Sequence, residues 1–433
     1  MKAQLYLSLV AASALWYAPG LFAQTATRQD TLAELSRRID VLTEEIEKVR
    51  LGEAAERRYE GKYGMGPAAS QVYQIKKTGV SLAGYGEVTY QDFSQETDQG
   101  NASGRTNEID FLRLIVYTGF RFNQRLLFNA EIEFEHGSTA SGRPGEVSVE
   151  FGYVEAMLTP VLNARAGMLL TPVGIINEYH EPPTYFGVLR PETESQIIPT
   201  TWRGNGAGIV GASNNGLGYK LYVLESLYAA RFSSSGIRSG RQFGARAIAE
   251  DFALTGRLDY SGIPGLNFGA SFFTGNTGQG IRDAADGEIN ARVNLISAHA
   301  LLSYRGLEAR ALYARSTIGD VDSLNSFLDV AGSQSVGESQ EGFYATLGYN
   351  ILSLFKPTSQ AAIYPFIQYE KLNTQKEVPA GFSLDPSKER TNITYGLSYK
   401  PHPNVAFKLD YVNRDNEAGN AVNQFNLAVT YLY

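Results

Sequence analysis

The chain of 433 residues contains no cysteine, which excludes a disulfide scaffold and any thiolate-bound metal. Histidine is nearly as scarce, confined to His136, His180, His299 and His402. No serine or aspartate stands at a recognisable catalytic spacing from any of them, so no lipase- or protease-type centre is expected, and no cofactor either. Basic residues are outnumbered 38 to 45, a formal charge of −7, which argues against nucleic acid as the partner. Past the N-terminus there is no run of about 18 apolar residues, so membrane-spanning helices are excluded. What the chain does have is tyrosine (26), phenylalanine (22) and glycine (44), against two tryptophans. That is a composition of strands and tight corners.

Lys2 precedes an apolar stretch from Leu5 to Leu15, and Ala18-Pro19-Gly20-Leu21-Phe22-Ala23 closes it. Residues 1–23 therefore read as a secretory signal peptide cut before Gln24, although Leu21 is larger than the usual residue at that point. Leu32, Leu35, Ile39, Leu42, Ile46 and Val49 then recur at alternating spacings of three and four. They are the a and d positions of a coiled-coil helix over 24–52, with Asp30 or Thr31 as N-cap and Gly52 as its end. A single amphipathic helix docked elsewhere satisfies the same pattern. A periplasmic anchoring role is open as well, without a recognisable peptidoglycan-binding motif. Residues 53–79 have no period and read as a linker.

From Val80 onward a period of two takes over. Leu126, Phe128, Ala130, Ile132 and Phe134 alternate with Asn129, Glu131, Glu133 and Glu135. At the C-terminus Phe425, Leu427, Val429, Tyr431 and Tyr433 alternate with Gln424, Asn426, Ala428 and Thr430. Sixteen such segments are expected, near 80–91, 108–122, 124–136, 147–158, 162–170, 205–213, 217–227, 243–261, 265–275, 289–305, 307–318, 340–352, 361–373, 390–400, 404–413 and 423–433. Two of them, 243–261 and 289–305, change parity midway, as a bulge or an extension beyond a membrane would make them do. Links after even-numbered segments are mostly tight turns, while those after odd-numbered ones are long and polar. That asymmetry, with an even strand count, predicts an all-β fold: a 16-stranded antiparallel transmembrane barrel over 80–433 with its apolar face toward outer-membrane lipid. At sixteen strands the lumen is wide enough to hold water, and polar inward faces are expected.

The longest link, 171–204, carries Pro172, Pro182, Pro183, Pro191 and Pro199 among Ile175, Ile176, Tyr185, Phe186, Ile197, Ile198 and Trp202. Disordered loops lack that apolar content, so this one packs, either as a constriction folded into the lumen or as a cap over its mouth. Its ionisable residues, Glu178, His180, Glu181, Arg190, Glu192, Glu194 and Arg203, are the candidate constriction site. Glu178, His180 and Glu181 crowd together as cation ligands do, but a proline-rich loop with incidental charges is the better account of them, and no metal is assigned. Alternation gives the candidate lumen set: Arg113, Arg125, Glu131, Glu133, Arg165 and Arg257. Arg113 is expected directly across from Glu133 in a wet lumen, where the pair contributes little stability and acts mainly on the field. The arginines either form a path for oxyanions or pair with lumen carboxylates.

The run Gly167-Met168-Leu169-Leu170-Thr171-Pro172-Val173-Gly174, following Tyr153-Val154, resembles the entry to the third loop of the phosphate-selective porin O/P family. Arg190, Arg203 and Gly206 resemble that family's residues flanking the loop. Leu170 departs from it, since a basic residue is frequent there. The resemblance implies a trimeric outer-membrane porin. Four loop carboxylates against Arg190 and Arg203 instead predict a weakly cation-selective or nearly non-selective pore, with the arginines bound to wall glutamates and the surplus acids facing solute. The reading is therefore a bacterial outer-membrane porin, a homotrimer passing small hydrophilic solutes and ions by passive diffusion and not an enzyme. The alternative is a substrate-specific anion channel for phosphate or oligophosphate.

Overall fold

The computed structural model describes residues 61–433 and, before them, the helical positions Glu34, Leu35, Arg38, Ile39 and Leu42. The expected signal peptide, and the expected coiled coil apart from those five positions, lie outside the described residues. Arg38 Nε lies 3.0 Å from Glu34 Oε1, one helical turn apart. Leu35, Ile39 and Leu42 are exposed. These positions belong to a unit separate from residues 56–433.

Sixteen strands form in the second unit: β1 (Gly79–Phe93), β2 (Glu108–Arg121), β3 (Leu126–Glu135), β4 (Glu146–Met157), β5 (Asn163–Leu170), β6 (Arg203–Ala212), β7 (Leu217–Glu225) and β8 (Phe252–Ile263) come first. They are followed by β9 (Leu266–Gly275), β10 (Val293–Tyr304), β11 (Leu307–Ile318), β12 (Ser339–Tyr349), β13 (Ala362–Glu377), β14 (Glu389–His402), β15 (Val405–Asn416) and β16 (Gln424–Leu432). Each pairs antiparallel with its neighbours in sequence, and β1 pairs with β16 from Tyr85 opposite Leu432 to Phe93 opposite Gln424. The sheet is closed and has no edge. Among the described residues no helix is long and apolar enough to cross a membrane.

All sixteen expected strands are present, and the largest boundary errors have one cause. The parity changes in 243–261 and 289–305 are neither bulges nor extensions. β8 begins at Phe252 and β10 at Val293, so the first parts of both segments are loop. Ahead of β10 the apolar loop residues Ile289 and Ala291 pack inward and mimic a strand continuing with its phase shifted, whereas ahead of β8 Phe243 and Ile248 are exposed.

The outward face is apolar along the barrel. Leu82, Val154, Val223, Leu258, Ile296, Leu347, Ile367, Leu409, Leu427 and Val429 are all exposed. Their partners in alternation point inward and are buried: Gln424, Asn426, Ala428 and Thr430 on β16. Burying the outward stripe costs nothing in lipid, whereas in water it would be an aggregation surface.

The inward faces are not uniformly polar, contrary to expectation. One apolar cluster joins loop residues Val173, Ile197, Ile198 and Trp202 to Phe273, Val293, Leu295, Leu312 and Tyr344 on the wall, and to Val321 and Leu324 of the short helix α1 (Val321–Phe327). A second joins Met65, Ala68, Ala69 and Val72 to Tyr85, Tyr117, Phe151, Tyr153 and Tyr222. The second cluster corrects the reading of 53–79 as a linker. From residue 61 that segment is packed on the inner wall, with a 3-10 turn over Gln71–Gln74. The wall makes room for it: a Cβ on Gly119 of β2 would meet the Val72 side chain at 2.6 Å.

Candidate functional site

The 171–202 loop enters from β5 and crosses the lumen, because it is bonded to strands on both sides of the closed sheet. On one side His180 Nε2 lies 3.0 Å from Glu131 Oε1 on β3. The same side holds Glu178 against Lys220 Nζ on β7, and Arg203 Nη1 lies 3.0 Å from Glu150 Oε1 on β4. On the other, Lys400 Nζ donates to the Pro183 carbonyl (2.6 Å), and Lys408 Nζ donates to those of Pro182 (2.7 Å) and Gly187 (2.8 Å). Arg310 Nη2 donates to the Thr184 carbonyl at 2.7 Å, and Asp410 Oδ2 accepts the Val188 N–H at 2.6 Å. Buried carbonyls and amides need such partners, and the loop's two short helical turns, Pro182–Thr184 and Thr193–Ile197, supply only part of them internally.

The four loop carboxylates were expected to face solute, and each is instead engaged. Glu178 is paired with Lys220. Glu181 accepts the backbone N–H of Ala68 (3.3 Å) and Ala69 (2.9 Å) from the N-terminal segment. Burial pushes its carboxyl up to about 7, those two N–H groups acting against the shift. Glu192 bridges Arg390 and Arg414 at 2.9 Å each. Glu194 accepts the N–H groups of Ile175 (2.7 Å) and Ile176 (2.6 Å) and the Tyr344 hydroxyl. The expected surplus of solute-facing carboxylates is therefore not present on the loop, because the wall cations Lys220, Arg390 and Arg414 meet charges that the loop alone leaves unbalanced.

Arg203 is held by a wall glutamate, as expected. Arg190 is not: among the described residues its Nη2 is buried without a hydrogen-bond partner. Burial and the neighbouring Arg113 act to lower its pKa, and the Tyr185 and Tyr85 hydroxyls and Glu150 more than offset them.

Five of the six lumen candidates do point inward. Arg165 Nε contacts Glu155 Oε2 at 2.5 Å, with Tyr73 donating to the same carboxylate oxygen at 2.7 Å. Arg257 Nε lies 2.7 Å from Asp259 Oδ2, and its Nη1 donates to the Gly174 carbonyl of the loop. Arg113 sits opposite Glu135 and not Glu133, a slip of two residues. Its Nε is 3.4 Å from Glu87 Oε2 and its Nη1 3.9 Å from Glu133 Oε1. The site is not wet: Glu133 is 4% exposed. Arg125 is the exception. The β2–β3 turn is longer than its single expected residue, β3 starts at Leu126, and Arg125 is exposed in the turn.

Glu150 escaped the alternation reading because the register between β3 and β4 shifts at that point, Glu131 facing Phe151 and Ile132 facing Val149. The extra residue of this bulge is Glu150, so Glu150 and Phe151 are both buried inside the barrel. The adjacent pair Glu150-Phe151, breaking the parity of Val147 and Val149, was the signal available. Lys220, Lys400, Lys408, Arg310, Glu370 and Asp410 were equally legible as inward residues, but their role in gripping the loop was not.

Near the loop's far end, a cavity of about 340 Å³ is lined by Arg105, Arg390 and Arg414 on one charge side and by Glu192 and Asp415 on the other.

No protein-family model matches the chain. It is 37% identical over 395 residues to an uncharacterised protein of Aquifex aeolicus (strain VF5), covering 89% of this chain and 87% of that protein. Among solved structures, OmpF of Salmonella typhi in complex with daunomycin superposes with a TM-score of 0.54 at 14% identity, covering 83% of this chain and 98% of that one. The anion-selective porin from Comamonas acidovorans gives 0.53 at 9% identity, covering 82% and 100%. At these identities the likeness is one of fold: the closed barrel of outer-membrane porins.

Proposed function

Because the chain belongs to the same family as that Aquifex aeolicus protein and has the fold of outer-membrane porins, we propose that it is a bacterial outer-membrane channel for passive diffusion of small hydrophilic solutes and ions. The observation that carries this reading is the 171–202 loop, which is bonded across the lumen from β3 and β7 to β14 and β15. A loop so seated narrows the water path, and selectivity then follows from width and from the nearest unpaired charges. With its carboxylates neutralised by wall cations and backbone amides, we expect a weak preference between ions. The exposed apolar belt fits lipid, the heptads of 24–52 fit an oligomer, and the resemblance to the O/P porins favours three chains. The reading requires no catalytic group or cofactor.

Single-channel recording in planar bilayers, with the reversal potential taken under a salt gradient, tests it. Step conductances with a small reversal potential are expected, and a chain that inserts as a folded barrel without conducting overturns it.

The cavity with Arg105, Arg390 and Arg414 favours a second reading, a channel for phosphate or another oxyanion, since guanidinium groups bind such oxygens bidentately. Micromolar phosphate blocking the chloride current, and losing that effect in Arg390→Gln, would establish it over the general channel.

A further inference from the structure

At the base of the loop, where the His180–Glu131 contact helps seat it, three buried groups converge. His180 Nε2 lies 3.0 Å from Glu131 Oε1 and 3.7 Å from Glu150 Oε2. One donor atom from each of Glu131, Glu150 and His180 lies within 4.8 Å of the other two. All three residues are at most 1% exposed.

The proton count at this cluster is informative. His180 Nδ1 is 3.1 Å from the Asn177 carbonyl oxygen. A carbonyl only accepts, so Nδ1 carries a proton and Nε2 of a neutral ring presents a lone pair to two carboxylates. Three acceptors then face one another, and a cation must sit among them. A proton on Nε2 would satisfy Glu131 Oε1. It would leave Glu131 Oε2 and Glu150 Oε2 bare, and both are buried without a hydrogen-bond partner. An ion with four or more coordination positions accommodates these oxygens, and two carboxylates match its double charge.

We propose that Glu131, Glu150 and His180 bind one divalent transition-metal cation of the zinc or manganese class. One imidazole nitrogen with two carboxylates suits these ions better than calcium or magnesium, which prefer oxygen alone. Bond lengths of about 2.0–2.2 Å put neighbouring ligand atoms roughly 3.0–3.6 Å apart, from octahedral to tetrahedral angles, beside the 3.0 and 3.7 Å observed. The surroundings are those of a metal ligand set. Asn177 fixes the imidazole tautomer, Arg203 Nη1 holds Glu150 Oε1 at 3.0 Å and leaves Oε2 to the ion, and the Tyr85 ring packs edge-on to His180 at 6.1 Å between centroids. Such an ion pins the loop to β3 and β4. The β4 bulge is what brings the second carboxylate into reach. The site stands whether or not the barrel conducts.

The test uses the full mature chain folded in detergent, stripped with a chelator and dialysed against zinc, with metal measured by plasma mass spectrometry. About one zinc per chain is expected, with a thermal midpoint above that of the stripped protein. His180→Ala and Glu150→Gln should each lower the zinc content at least about tenfold and abolish its effect on the midpoint. Heat-modifiable migration on gels identifies which variants have folded. If neither folds, X-ray absorption of the zinc-loaded wild type decides, with one nitrogen ligand among oxygens expected. Less than a tenth of a zinc per chain overturns the proposal. So do folded variants that retain the metal, or a spectrum with two or more histidines.

Discussion

Glu181 of the long loop accepts the backbone N–H of Ala69 at 2.9 Å, joining positions 112 residues apart in sequence. The contact ties the segment that precedes the barrel to the segment that crosses it. Tyr63 and Tyr73 extend the seam: Asn163 donates to the Tyr63 hydroxyl at 2.8 Å, and Arg165 to that of Tyr73 at 2.7 Å.

The N-terminal segment therefore occupies lumen that the strand count alone assigns to water. Deleting 24–77 while keeping residues 1–23 should give a barrel of larger unitary conductance with noisier open states, because Glu181 loses both its donors. Single-channel traces check this. Unchanged conductance would mean that the segment lies beside the water path and not in it.

The Arg165–Glu155 pair is fully buried, with side chains 3% and 0% exposed. Arg165→Met strands the carboxylate with only the Tyr73 and Asn163 donors and should cost about 3 kcal/mol, at the lower end for a broken buried pair. Pairing it with Glu155→Gln should recover most of the loss. Urea midpoints in detergent measure both. An unaffected single mutant would show that water reaches the site.

Glu194 gives the loop a pH dependence. Burial raises its pKa above the ordinary 4.5, opposed by the Tyr344 hydroxyl and the two loop N–H groups. A carboxyl raised in the folded state stabilises the fold below its ordinary pKa, and that contribution is lost as pH climbs through the raised value. Relative to Glu194→Gln, the wild type should thus lose stability as pH rises above about 4.5. Thermal midpoints across a pH series test the sign, and a difference independent of pH would refute it.

Ile39 and Ile46 are the d or a positions most sensitive to charge in the expected coiled coil. Replacing both with Asp should weaken the oligomer in detergent while leaving each barrel folded. Light scattering reads the first and heat-modifiable migration the second; an unchanged oligomer would remove the helix from assembly.

The sixteen strands were legible because an apolar exposed face outside and loops inside impose one period on every strand, as Leu427 and Val429 against Asn426 and Thr430 illustrate. Failures came where the period stops carrying information. At Glu150 a bulge puts two successive residues on one face. At Arg113 the turn set the register two residues away from its expected value. In 61–78 and 171–202 the chain follows no period at all. There the deciding partners are 40 to more than 200 residues distant, as for Val188 and Asp410. Charges on the loop could be counted from sequence, but which wall cation meets each one depends on how the barrel closes.

Lys400, Lys408 and Arg310 hold the loop by the carbonyls of Pro182, Pro183, Thr184 and Gly187, and Lys408 also lies over the Tyr185 ring at 4.1 Å. A carbonyl is the same whichever residue carries it. Substitutions at Pro182, Pro183 and Thr184 therefore leave these acceptors in place, provided the backbone keeps its path. Tyr185 and Phe186 are held differently, by the wall packing of their own buried rings, so the same stretch is tolerant at its carbonyls and strict at its aromatics.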